Sequence, residues 1–101
     1  MTSVWAGELR LNPDECYNWG KVAAIVQAAK QSDVSLPDTL KAYQLEVNKN
    51  PRNKVEVAAV KHLIKEVYTK FDKHFPPQMV FDLYFSSCMA NEGRVYNNTD
   101  I

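Results

Sequence analysis

Glycine is scarce in this chain: three occur among 101 residues, singly at positions 7, 20 and 93. A loop that cradles phosphate through its backbone amides needs several glycines close together, so nucleotide sites of that kind are excluded. Cysteine is as sparse. Cys16 and Cys88 stand far apart, form no C-x-x-C pair, and have no histidine cluster at ligand spacing, which argues against a zinc site. The expected state is two reduced, half-buried thiols, with a disulfide between the first and last helices as the alternative. No apolar run approaches the ~20 residues that cross a bilayer. The opening MTSVWAGELRLNP lacks the basic start and apolar stretch of a secretory signal. The expectation is therefore a cytoplasmic protein with no membrane partner, and Asn97-Asn98-Thr99 reads as a coincidental match to the glycosylation pattern.

An excess of one charge is also missing. Twelve basic and twelve acidic side chains balance, so no global field draws the chain to nucleic acid or to an anionic surface. Locally the balance shifts: residues 41–74 carry eight Lys or Arg against four Asp or Glu, and the flanks are each acidic by two. A solvated helix face accounts for such a stripe.

What is present is helical patterning. In residues 55–75, Val57, Val60, Leu63, Ile64, Val67, Tyr68, Phe71 and Phe75 fall on one arc of a helical wheel, with Lys61, Lys65, Glu66, Lys70 and Lys73 opposite. That is an amphipathic helix of about six turns. Upstream, Asn12-Pro13-Asp14-Glu15 is a helix start, with Asn12 as N-cap, proline in the first turn, and two acids at the positive end of the dipole. Cys16, Trp19, Ala23 and Val26 continue it as an apolar stripe, with Val22, Ile25 and Ala29 alongside, and Gly20, unfavourable inside a helix, permits a close helix contact there. Ser35 with Asp38 caps a short second helix, whose stripe is Leu36, Leu40, Tyr43 and Val47. Pro76-Pro77 separates the third helix from a fourth, which Gly93 ends as the C′ residue. The prediction is an all-α single domain, a compact bundle of four helices at 13–31, 36–48, 53–75 and 77–91. An extended arm (1–11) precedes it and a frayed tail (94–101) follows.

The constellations that carry chemistry are weak. His62 and Glu66 share a helix face, but a zinc site needs three or four ligands, so they read as an exposed pair continuing to Lys70. His74 reads as a helix-end residue and Asp82 as an exposed or capped carboxylate. Ser86-Ser87-Cys88 has neither a local histidine nor a strand-to-helix elbow to make a nucleophile. The chain is expected to be non-enzymatic, with no cofactor and no metal.

The fourth helix is apolar nearly all round. Phe81, Tyr84 and Cys88 centre its inward arc, while Met79, Leu83, Phe85 and Met89 spread over the rest. A bundle this small cannot enclose such a helix, so these four are expected to face a partner protein or a second copy of the chain. Cover by the arm (Val4, Trp5, Leu9, Leu11) or the tail (Val95, Tyr96) is the intrachain alternative. Arg52, Lys61 and Lys65 would form a charged rim. The second functional class is nucleic-acid binding: the helices at 36–48 and 53–75 resemble a helix-turn-helix in outline, placing Arg52, Asn53 and Lys54 at the start of the second helix, with Lys61 and Lys65 beyond. The turn lacks the usual glycine, and the chain carries no net charge.

Overall fold

The computed structural model describes residues 8–97. Four helices follow the order α1 (Pro13–Gln31), α2 (Leu36–Lys49), α3 (Lys54–Lys70) and α4 (Pro77–Ala90), flanked by two short strands, β1 (Glu8–Arg10) and β2 (Arg94–Asn97). The all-α bundle expected from the sequence is what forms, with a minor two-stranded sheet added.

The helix starts follow the capping chemistry. At α1 the Glu15 amide donates to Asn12 Oδ1 at 2.8 Å, and the Asn12 amide donates to Glu15 Oε1 at 2.9 Å, a reciprocal capping box. The Asp38 amide donates to Ser35 Oγ at 3.2 Å to open α2. At α3 the cap is Asn53, which accepts from the Glu56 amide at 2.7 Å. Pro77 opens α4 in a turn where its missing N–H is no loss.

The core is built chiefly from α1 and α3. Cys16, Trp19, Ala23 and Val26 of α1 meet Ala59, Leu63, Ile64 and Val67 of α3, with Val80 and Cys88 contributed by α4. The longest contact runs between α1 and α4, while α3 packs on both α1 and α2. Gly20 faces Phe81, where a Cβ would sit 2.8 Å from a ring carbon and 3.0 Å from the Phe81 carbonyl oxygen. The close helix contact anticipated at this glycine is therefore real. Tyr68 secures α3 to the α1–α2 turn, its hydroxyl donating to the Val34 carbonyl at 2.7 Å.

Four sequence expectations need correction. The thiols are not reduced: Cys16 and Cys88, each 1% exposed, form a disulfide across 72 residues that joins the start of α1 to the end of α4. The helical spacing that buried both residues brought their Cα atoms within 5.6 Å, inside bonding range.

The third helix ends at Lys70, not at 75. The reason lies in α1. Gln27, fully buried, donates from its amide to the carbonyls of Asp72 (2.9 Å) and Phe75 (2.8 Å). Gln31 also donates to Phe75 (3.1 Å), and Lys30 donates to the Phe71 carbonyl. These side chains hold the connector carbonyls in place of further helical turns. Lys73 closes the same corner with an ion pair to Asp33.

The tail is not frayed through its first residues. Arg94–Asn97 pairs antiparallel with β1, matching Leu9 with Tyr96 and Arg10 with Arg94 across a bulge. Leu9, Leu11, Val95 and Tyr96 pack against the core, whereas Val4, Trp5 and residues 98–101 lie outside the described residues.

Finally, Gly93 is not the C′ residue. Glu92 holds that position at φ 56°, and Gly93 follows at φ 85°. The Gly93 amide donates to Cys88 O at 2.7 Å and the Glu92 amide to Met89 O at 3.1 Å, the paired bonds of a Schellman end. Glycine is needed because a Cβ there would lie 1.9 Å from the Leu11 carbonyl oxygen, whose own amide donates to Gly93 O at 2.8 Å.

Two stability outcomes follow. Gly20→Ala should lower stability by about 1–2 kcal/mol in a urea melt, because overpacking against the Phe81 backbone outweighs the ~1 kcal/mol gain in helix propensity. Replacing both cysteines by serine should cost about 2–4 kcal/mol, and wild-type protein kept in reductant should track the double variant.

Candidate functional site

The residues expected to meet a partner are dispersed along α4. Met79, Leu83 and Met89 stand 49%, 50% and 44% exposed. Phe85 is half-buried: it stacks on Phe81 at 5.6 Å between centroids and meets the edge of Tyr17 at 6.1 Å. The four do not form one patch. Leu83 borders a cleft on the α3 side, while Phe85 belongs to the α1–α4 seam, with Met89 one turn further along. Asp82 lies on the outward strip and accepts from Gln78 Nε2 at 3.1 Å, the exposed carboxylate expected.

Sequence reading missed Tyr17 (50% exposed) and set Ile25 alongside the α1 stripe, whereas Ile25 is 65% exposed; both extend the apolar surface from α4 across the seam onto α1. The signal was available for Tyr17, which follows the buried Cys16 on the wheel and points away from the α1 stripe. Its partnership with Phe81 at 5.2 Å depends on the crossing of the two helices.

The basic residues lie elsewhere. Arg52 is held between Glu46 (3.8 Å) and Glu56 (3.3 Å). Asn53 uses its side-chain oxygen as the α3 cap. Lys61 donates to Gln44 Oε1 at 2.8 Å across the α2–α3 seam. Lys54 and Lys65 are exposed on α3. Arg52 and Lys61 thus belong to the α2–α3 seam, whereas the α4 residues border α1 and the cleft, so one rim does not surround the other set.

The most structured polar constellation is one that the sequence reading passed over as a surface pair. Because α3 and α4 both lean on α1, a cleft of about 500 Å³ opens between them. Trp19 of α1 and Cys88 line it with Leu63 and Phe71 of α3, Leu83 and Tyr84 of α4, and Val95 of β2. Glu66 spans it: Oε1 accepts from the Tyr84 hydroxyl at 2.5 Å, while Oε2 lies 3.8 Å from His62 Nε2 and 3.9 Å from Lys70 Nζ. The expected His62–Glu66–Lys70 series is present, with Tyr84 as a fourth member that only the tertiary packing supplies. Burial, then the hydrogen bond to Glu66 and the charge of that carboxylate, hold the Tyr84 phenol far above the ordinary tyrosine range. His62 also lies 5.7 Å from the Tyr96 ring, linking this face to β2. His74 is exposed in the connector after α3.

Among the described residues, no group of three or more His, Cys, Asp or Glu side chains could hold a metal ion, and no helix is long and apolar enough to cross a membrane. No family model, no curated protein and no solved structure matches this chain. Function therefore rests on the geometry alone.

The phenol assignment has a measurable consequence. In an ultraviolet titration of tyrosinate absorbance, Tyr84→Phe should leave the amplitude recorded before alkaline unfolding unchanged, because Tyr84 stays neutral throughout it. The folded state keeps a proton that the unfolded chain releases. The Tyr84 contribution to stability is therefore complete below the ordinary tyrosine pKa and declines as pH rises above it.

Proposed function

We propose that this is a non-enzymatic regulatory, inhibitor or adaptor protein that acts by protein–protein contact through the outer face of α4. The observation that supports this is the exposure of Met79, Leu83 and Met89 at 44–50% on a helix whose opposite face is anchored in the core. Large flexible side chains left in contact with solvent along one helix are the material of interfaces, where a few apolar anchors carry most of the binding energy. Tyr17 and Phe85 extend this face along the α1–α4 seam, and self-association through it is the simplest form of the proposal.

The nucleic-acid reading has less support: two carboxylates engage Arg52 and the α3 cap engages Asn53, leaving Lys54 and Lys65 as the accessible basic side chains of the proposed contact set. A cytoplasmic location is the expectation from the lack of a signal-like start and of a membrane span, but a buried disulfide favours an oxidising compartment.

The test is association. Light scattering over a micromolar concentration series should show wild-type protein forming a complex of defined mass. Met89→Asp or Leu83→Asp should weaken it by at least about tenfold while helical circular dichroism is retained, since both side chains are surface-exposed. A strictly monomeric wild-type protein would remove the self-association form, and unfolding of both variants would place these residues in the core and remove the interface.

A further inference from the structure

The cleft between α3 and α4 shares Leu83 with the interface proposed above, but its chemistry points to a different kind of ligand. We propose that it binds a small amphipathic carboxylate, with the apolar body of the ligand against Trp19, Phe71 and Leu83 and its anionic end drawn to Lys70 or Arg94.

Size is the first argument. A volume of about 500 Å³ lies within the range of small-molecule sites, and the wall offers both apolar side chains and polar groups, as an amphipathic ligand requires. Charge is the second. Glu66 is the one acidic residue in the lining, and its oxygens are already occupied by Tyr84, His62 and Lys70. Lys70 and Arg94 outnumber Glu66 by one formal charge in the lining, which favours an anion. Arg94 also lies 3.7 Å from Glu92, but that pair is exposed, so little energy opposes its exchange for a ligand carboxylate.

Preorganisation is the third argument. The walls are fixed before any ligand arrives: α4 is bound to α1 by the Cys16–Cys88 bridge and the Gly20–Phe81 contact, and Tyr84 is bound to α3 through Glu66. A cleft held open in this way costs little to organise on binding. An uncharged ligand would gain nothing from the two exposed cations, and a dianion would meet Glu66. A single negative charge fits best.

The probe is anilinonaphthalenesulfonate, whose one anionic group stands in for the carboxylate, compared with the uncharged phenylnaphthylamine of the same apolar body. Intact, disulfide-bonded protein should bind the sulfonate one-to-one and at least about fivefold more tightly than the neutral dye, as expected for about 1 kcal/mol from a charge-assisted contact. The Lys70→Gln, Arg94→Gln double variant alters exposed side chains and should keep its circular dichroism. It should lose about tenfold in sulfonate affinity while binding the neutral dye as before. Met79→Ser with Met89→Ser, both outside the cleft, should bind like wild type. Decanoate and indoleacetate should each be tried as competitors: displacement by either supports the carboxylate assignment and tells an aliphatic from an aromatic body, and displacement by neither overturns it. Equal affinity for the two dyes, indifference to the Lys70–Arg94 substitutions, or loss of binding in the Met79–Met89 variant would each overturn the proposal, the last by placing the dye on the outer face of α4.

Discussion

The contact between α1 and α4 governs the rest of the molecule. Two features set its closeness: Gly20 lets the Phe81 ring and backbone approach α1 without a side chain between them, and the Cys16–Cys88 bridge ties the start of one helix to the end of the other. These elements lie far apart in the sequence, so chain entropy opposes their meeting. Cross-linking residues 72 apart removes much of that opposition from the unfolded state, by about 4 kcal/mol in the loop-entropy picture. The same end of the bundle is tied again by β1–β2 pairing and by Leu11 against Gly93.

Once α4 is committed to α1, its other surfaces have little left to cover them. The described parts of the arm and tail, residues 8–10 and 94–97, pair with each other, and Leu9, Leu11, Val95 and Tyr96 pack against the core from there. Met79, Leu83 and Met89 stay in contact with solvent as a result, and a cleft remains between α4 and α3, spanned by the Glu66–Tyr84 hydrogen bond. Both proposed sites are thus consequences of one packing choice. The corner opposite the disulfide is fixed by polar means, with Gln27, Gln31 and Lys30 holding the carbonyls of the connector and Lys73 lowering the Asp33 pKa through a hydrogen bond and its charge.

Much of this architecture was legible in the residues because it depends on local rules. Asn12, Ser35 and the Pro76-Pro77 pair act within a turn or two of themselves, so helix starts could be read from them. The stripe of Cys16, Trp19, Ala23 and Val26 is buried as its spacing required. The C-terminal ends were harder. The α3 pattern continues through Phe71 and Phe75, both of which do pack on the core, but as parts of a connector held by Gln27 from a helix more than forty residues earlier. Apolar periodicity reports burial, and burial alone does not distinguish a last helical turn from a clamped loop. Glu92 and Gly93 show the same limit, since the demand for glycine at 93 comes from the Leu11 carbonyl.

By itself, the sequence determined the number of helices, where each begins, which face of α1 and α3 is buried, and that the residues of α4 exceed what a small bundle can cover. Each of these follows from periodicity, capping groups and composition, which act over a few residues. Tertiary structure alone decided that Cys16 and Cys88 are bonded, that residues 8–10 and 94–97 form a sheet, that Tyr84 joins the His62–Glu66–Lys70 series, and that Leu83 and Phe85 look to different sides of α4. Those facts depend on the direction in which one helix crosses another, a quantity that no short stretch of chain encodes.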